Sequence, residues 1–227
     1  MRHADPEDLF KWIRIGSKIK YTRLWFLSPN SFAYGGPNGT VPNPALIKTL
    51  LSGLREIPDI KEIFFGTFPS EVRPEFVTKE VMDVVVPYVS NKYLVIGAQN
   101  ASNRLLKTIH RGHTFEDVLN ALEVLKQYNF SADIDFIFGL PGETEEDIDQ
   151  NIAFFEAIER GTIRNARVHT HTFMPLPGTP FENEPLGVLN PRILKIIGRL
   201  VQKRKAFGEH ITQAGIGETR YDHRLDL

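Results

Sequence analysis

The strongest constraint on the fold is an alternation: short apolar runs of β type recur between longer stretches with the periodicity of amphipathic helices. Strands are predicted over residues 24–27, 63–65, 93–96, 134–138 and 167–174, and helices over 6–18, 44–55, 79–89, 102–110, 114–127, 144–159 and 191–207. Local signals support the helix starts. Asp5-Pro6-Glu7 offers an N-cap carboxylate followed by proline at the first helical position. Thr114 with Asp117 three positions on has the spacing of a capping box, and Thr144 opens another helix. Leu46, Ile47, Leu50, Leu51 and Leu54 share one face of the helix after Pro44. Five strands alternating with helices argue for parallel β/α units, because parallel neighbours need crossover connections. A doubly wound sheet and a barrel both satisfy the pattern. In either, ligands bind at the carboxyl ends of the strands.

Composition narrows the chemistry. The chain has 227 residues, 41% of them apolar, enough for one sizeable domain. It is read as a single domain over 1–227 with a C-terminal helical extension from about residue 190. There is no cysteine, which removes disulfides, thiolate nucleophiles and cysteine-held metal centres from the chain's own repertoire. A net charge of −1 gives no support for a polyanion-coating surface, although a local nucleic-acid patch is compatible with a neutral total. No apolar run is long enough for a membrane span, and the first ten residues lack a signal core, so a cytoplasmic protein without membrane association is expected.

The strand-end loops SPNSFAYGG, GTFPSEVRPE, GAQNASNRLL, GLPGETEED and THTFMPLPGTP combine glycine and proline with hydrogen-bonding side chains. Each alone reads as an ordinary βα turn. Together they are expected to form a polar ligand pocket, with Glu71, Arg73, His169 and His171 as substrate-pocket candidates. GLPGET lacks the ending of a phosphate-binding loop. His169 and His171 alternate along a strand and so share a face, and with Asp135 or Glu71 they form a candidate metal set. Asp133 and Asp135 also share a face.

The stretch GAQNASNRLLKTIHRGHTFEDVLNALEVLKQYNFSADIDFIFGLPGETEED, with its G-x-Q strand end, I-x-R-G-H-T junction and D-x-I-x-G-L-P strand end, resembles the radical S-adenosylmethionine (SAM) superfamily. Methylthiotransferases, the tRNA-modifying acetyltransferase family and oxygen-independent coproporphyrinogen oxidases are the similar members. The turn MPLPGTPF and the opening RHADPEDL fit the same pattern, so the likeness runs from about residue 1 to 181. The resemblance implies an α/β fold, a partial, open TIM-type parallel β/α barrel with about five strands present and the first strand missing. It implies SAM across the barrel mouth. Gln99 would contact the ribose or methionine part, Arg111 the carboxylate, and Asp135 the ribose hydroxyls. Gly139 and Leu140, with Pro175 and Leu176, would pack near the adenine, and Tyr34-Gly35-Gly36 would meet the amino group through backbone carbonyls.

Relatives hold a [4Fe–4S] cluster on a C-x-x-x-C-x-x-C loop, and this chain has no cysteine. The reading is therefore a fragment of a radical SAM catalytic core, inactive alone, with no metal held by the chain itself. The cluster and a reductant protein would serve only a longer form, and a cobalamin-binding accessory domain belongs to some similar subfamilies. Two alternatives stand beside it: a cluster-free barrel binding SAM or another nucleotide without catalysis, and a metal-dependent α/β hydrolase using His169 and His171.

Overall fold

The structure, a computed structural model, describes residues 3–208. Arg2 of the opening motif lies outside the described residues. Contacts gather the chain into two compact units, Met1–Ala98 with His113–Ile134, and Gln99–Gly112 with Asp135–Leu227.

In the first unit, helix α1 (Pro6–Lys18) is capped by the Asp5 carboxylate, which accepts from the Glu7 amide at 2.8 Å. Strand β1 (Arg23–Trp25) pairs in parallel with β2 (Glu62–Phe64), joined through α2 (Pro44–Arg55). Asn43 caps α2 by accepting from the Leu46 amide at 3.1 Å. The apolar face predicted for this helix is buried at Ile47, Leu50, Leu51 and Leu54, and α2 packs on α1 and on α3 (Lys79–Val85). Helix α3 stops four residues short of the predicted end. Pro87 explains this, since it has no amide donor to continue the helical hydrogen bonds. Strand β3 (Tyr93–Gln99) lies beside the start of β4 (Ser131–Phe138), and α5 (Phe115–Gln127) carries the predicted Thr114–Asp117 capping box.

The second unit contains α4 (Asn103–Thr108), the later half of β4, α6 (Glu145–Glu159), β5 (Ala166–Thr172), α7 (Pro191–Gln202) and β6 (Ala206–Gly208). Strands β5 and β6 pair in parallel. The terminal helix was expected to reach residue 207. It ends at Gln202, Arg204 takes a left-handed φ of 57°, and residues 206–208 become a sixth strand. Phe136 and Phe138 on β4 meet Phe155 of α6 edge to face at 4.9 and 5.9 Å, forming an aromatic core that Phe154 extends. Helix α7 buries Ile193, Ile196, Ile197 and Leu200 and packs on α6. No helix among the described residues is long and apolar enough to cross a membrane.

Candidate functional site

Strand β4 separates core from site by its pleat. Ile134, Phe136 and Phe138 are buried on one face, and Asp135 and Ile137 lie half-buried on the other. Strand β5 does the same: Val168 and Thr170 are buried, while His169 and His171 are half-buried. The polar faces bring Asp135 and both histidines together. His169 Nδ1 lies 2.8 Å from Asp135 Oδ1 and 3.1 Å from His171 Nε2, and His171 Nε2 lies 3.7 Å from the same oxygen. Burial on its own would raise the Asp135 pKa, but the two histidines outweigh it and hold the carboxyl below its ordinary value. Phe207 stacks on the His169 ring at 4.5 Å and 12°. That contact was invisible in the sequence reading, which placed Phe207 on a helix.

Past β4 the chain turns through Gly139, Leu140, Pro141 and Gly142 into α6. The Gly139 amide donates to Glu143 Oε2 at 3.0 Å, and burial raises the Glu143 pKa. The hydrogen of Gly139 points at the chain's own backbone. A Cβ there would sit 2.5 Å from the Val188 amide nitrogen and 2.7 Å from the Gly187 Cα. This approach is fixed by two backbone hydrogen bonds, Phe173 to the Phe138 carbonyl and Gly187 to the Phe173 carbonyl, both 2.8 Å. Residues 139–143 and the Glu184–Val188 segment line a cleft of about 350 Å³.

Below this turn lies a clamp that sequence reasoning missed. Asp147, at the third position of α6, accepts from the Thr144 amide and hydroxyl at 2.7 Å each, from the Ser102 hydroxyl at 2.5 Å, and from Arg104. Burial acts to raise its pKa, but hydrogen bonds from Arg104, Ser102 and Thr144 prevail and bring it to about 2. Arg104 also donates to the Gly142 carbonyl at 2.7 Å, tying α4 to the turn. Ser102 in turn caps α4. Asn151 of α6 accepts from the Ala101 amide at 2.8 Å, so α6 also fixes the segment after β3.

Gln99 begins that segment. It is buried, yet its φ is +68°, the left-handed region that costs a residue with a side chain about 1 kcal/mol or more. Next to it, Asn100 is fully buried, with Oδ1 accepting from the Ser102 amide at 2.9 Å. Its Nδ2 lies near the Glu143 carboxylate without reaching an ordinary hydrogen-bond geometry. Arg111 is half-buried between His110 (φ 54°) and Gly112 (φ 72°), and its amide donates to the Leu106 carbonyl at 2.9 Å. Gln99, Arg111, Asp135, Gly139, Leu140, His169 and His171 all belong to the second unit.

The first unit holds the other candidates. Tyr34 donates from its hydroxyl to the Ala4 carbonyl at 2.7 Å, and burial, with the Asp5 charge, raises its pKa to about 12. The Gly35 carbonyl accepts from the Asn43 amide group at 3.0 Å, and the Gly36 carbonyl lies 3.2 Å from His3 Nε2. Both carbonyls of this loop thus have partners within the chain. The Glu71 carbonyl accepts from the Ser31 amide at 3.0 Å. Arg73 pairs with Glu75 at 2.5 Å, and Glu75 lies 3.9 Å from the buried His113. Of the two carboxylates proposed as partners for the histidine pair, Asp135 is the one that completes a three-residue group.

Comparison with known proteins gives a consistent picture. The model of the radical SAM superfamily matches residues 1–155. The chain is 28% identical over 192 residues to an uncharacterized protein of Methanocaldococcus jannaschii, covering 80% of this chain and 36% of that one. It is 31% identical over 160 residues to a tRNA-2-methylthio-N(6)-dimethylallyladenosine synthase of an Acidovorax species, covering 69% of this chain and 34% of the relative. Among solved structures, the Elp3 protein of Methanocaldococcus infernus is similar with a TM-score of 0.58 at 14% identity, over 90% of this chain and 52% of that one. At that identity the likeness bears on the fold: α/β with parallel strands, of the partial TIM-barrel type. The chain spans little more than a third of the length of the curated relatives it matches.

Proposed function

Because the chain belongs to the radical SAM superfamily, we propose that it is the SAM-binding part of a radical SAM catalytic core. The observation that carries this is the family match over residues 1–155, which takes in Gln99, Arg111, Asp135 and the Gly139–Leu140 turn at the strand ends.

The residues present fit SAM in chemical type. Gln99 is buried in a strained conformation at the end of β3, beside Asn100, whose Nδ2 is not fully hydrogen-bonded and can donate to a polar ligand. Arg111 supplies a guanidinium for the amino-acid carboxylate, a pairing that suits its forked donors. Asp135 turns Oδ1 to the histidines and has a second oxygen to offer a ribose hydroxyl. Leu140 lines the cleft beside this turn and offers an apolar contact for the adenine. The Asp147 clamp ties the segment after β3 to the turn after β4, which supports a preorganised site. Bound SAM supplies the family's chemistry as the source of a 5′-deoxyadenosyl group.

The residues do not fit a [4Fe–4S] cluster, because the chain offers no thiolate. No step is assigned to this chain through that group. Reductive chemistry, its reductant, and any cobalamin-binding domain belong to a longer protein, and the chain alone binds without turnover. The test is anaerobic incubation with iron, sulfide, dithionite and SAM. The expected result is no cluster absorbance and no 5′-deoxyadenosine. Formation of 5′-deoxyadenosine by the purified chain would overturn the reading.

A further inference from the structure

The alternation along β4 and β5 leaves three potential ligand atoms converging on one point, with a single ring nitrogen shared between the other two. His169 Nδ1 is within hydrogen-bond distance of both Asp135 Oδ1 and His171 Nε2. A ring nitrogen carries either one proton or one lone pair. If Nδ1 donates, its single proton must be shared between Asp135 Oδ1 and the His171 Nε2 lone pair, a bifurcated arrangement weaker than a linear bond. If it instead accepts from His171, two lone pairs face each other across the 2.8 Å gap to Asp135. A cation among the three atoms satisfies them better, because all three then present lone pairs to it.

The distances agree with that. The three separations of 2.8, 3.1 and 3.7 Å define a circle of radius about 1.9 Å through the donor atoms. An ion at the usual bond length of about 2.0–2.1 Å to imidazole and carboxylate therefore touches all three while lying less than about 1 Å from their plane. All three ligands then sit on one side of the ion, and the opposite side is open to water or a ligand. Phe207 fixes the plane of the His169 ring. Side-chain exposures of 15, 23 and 40% for Asp135, His169 and His171 leave a path for entry.

The geometry points to a mononuclear site for a first-row divalent cation at Asp135, His169 and His171, with coordination positions left open. Two imidazoles and one carboxylate suit Zn²⁺, Fe²⁺ or Co²⁺ over Mg²⁺ or Ca²⁺, which take oxygen ligands. The site uses no cysteine ligand, and it stands whether or not the chain binds SAM.

The test is titration of the chelator-stripped full chain with Co²⁺, followed by its visible ligand-field absorption, with Zn²⁺ titration calorimetry for stoichiometry. One equivalent is expected. His171→Ala, at the most exposed ligand, should weaken binding by at least about tenfold, and near-isosteric Asp135→Asn should do the same. His110→Ala, outside the group, should bind as the unaltered chain does. Circular dichroism checks that each variant is folded. Equal affinity in the unaltered chain and in folded His171→Ala and Asp135→Asn overturns the proposal, as does failure of the unaltered chain to bind Co²⁺ up to about 1 mM.

Discussion

The substitution Asp147→Asn keeps the shape of the clamp at the start of α6 and removes its charge. The side chain is 2% exposed and accepts from Thr144, Ser102 and Arg104. Its carboxyl is held near 2, against an ordinary 3.8. A depressed carboxyl pKa stabilises the fold fully above the unfolded value, and this is lost as pH falls toward the folded value. The shift corresponds to about 2 kcal/mol at pH 7, falling to about 1 kcal/mol at pH 3. The asparagine amide does not titrate, so the comparison between the two proteins isolates the carboxylate. Urea denaturation of both, followed by far-ultraviolet circular dichroism at pH 7 and pH 3, should show a gap of about 2 kcal/mol that roughly halves in acid. A gap of equal size at both pH values, or one below about 0.5 kcal/mol at pH 7, would refute the assignment of the charge to this clamp.

Two further pairs of substitutions probe left-handed backbone. Gln99→Gly and Gln99→Ala both delete the side chain, but only alanine keeps the left-handed penalty at φ +68°, so the glycine variant should be the more stable by about 1 kcal/mol in thermal or urea unfolding. Gly139→Ala should cost more than Gly142→Ala by about 1–3 kcal/mol, because both have left-handed φ but only the first meets backbone at 187–188. Equal costs for the two glycines would show that the 187–188 segment does not pack on the turn in solution.

Much of the fold was legible because local signals agree with the global pattern. Asp5, Thr114 and Thr144 cap helices where their spacing predicts, and the leucine face of α2 is buried. The miss at residues 203–208 came from treating a basic, apolar run as continuous helix. Arg204 breaks that helix with a left-handed turn that no glycine or proline announces, and β6 forms through pairing with β5. The polar faces of β4 and β5 were readable from the two-residue period. The meeting of Asp135 with His169 and His171 depends on register across strands, which one-dimensional pattern leaves open. The Arg104–Asp147 contact spans 43 positions and had no local signature. Gly139 read as an opening for a ligand ring, and in the structure its open side is taken by Gly187 and Val188.

The SAM site proposed for this cysteine-free chain is open to direct measurement. Titration calorimetry of SAM into the purified chain, in the presence of a chelator, tests it without reference to metal or turnover. Saturable binding near one equivalent is expected, weakened by about tenfold or more in Arg111→Ala, the loss of a charged contact worth about 1.4 kcal/mol or more. A folded chain that shows no saturable heat with SAM, or that binds it equally well without Arg111, has no such site.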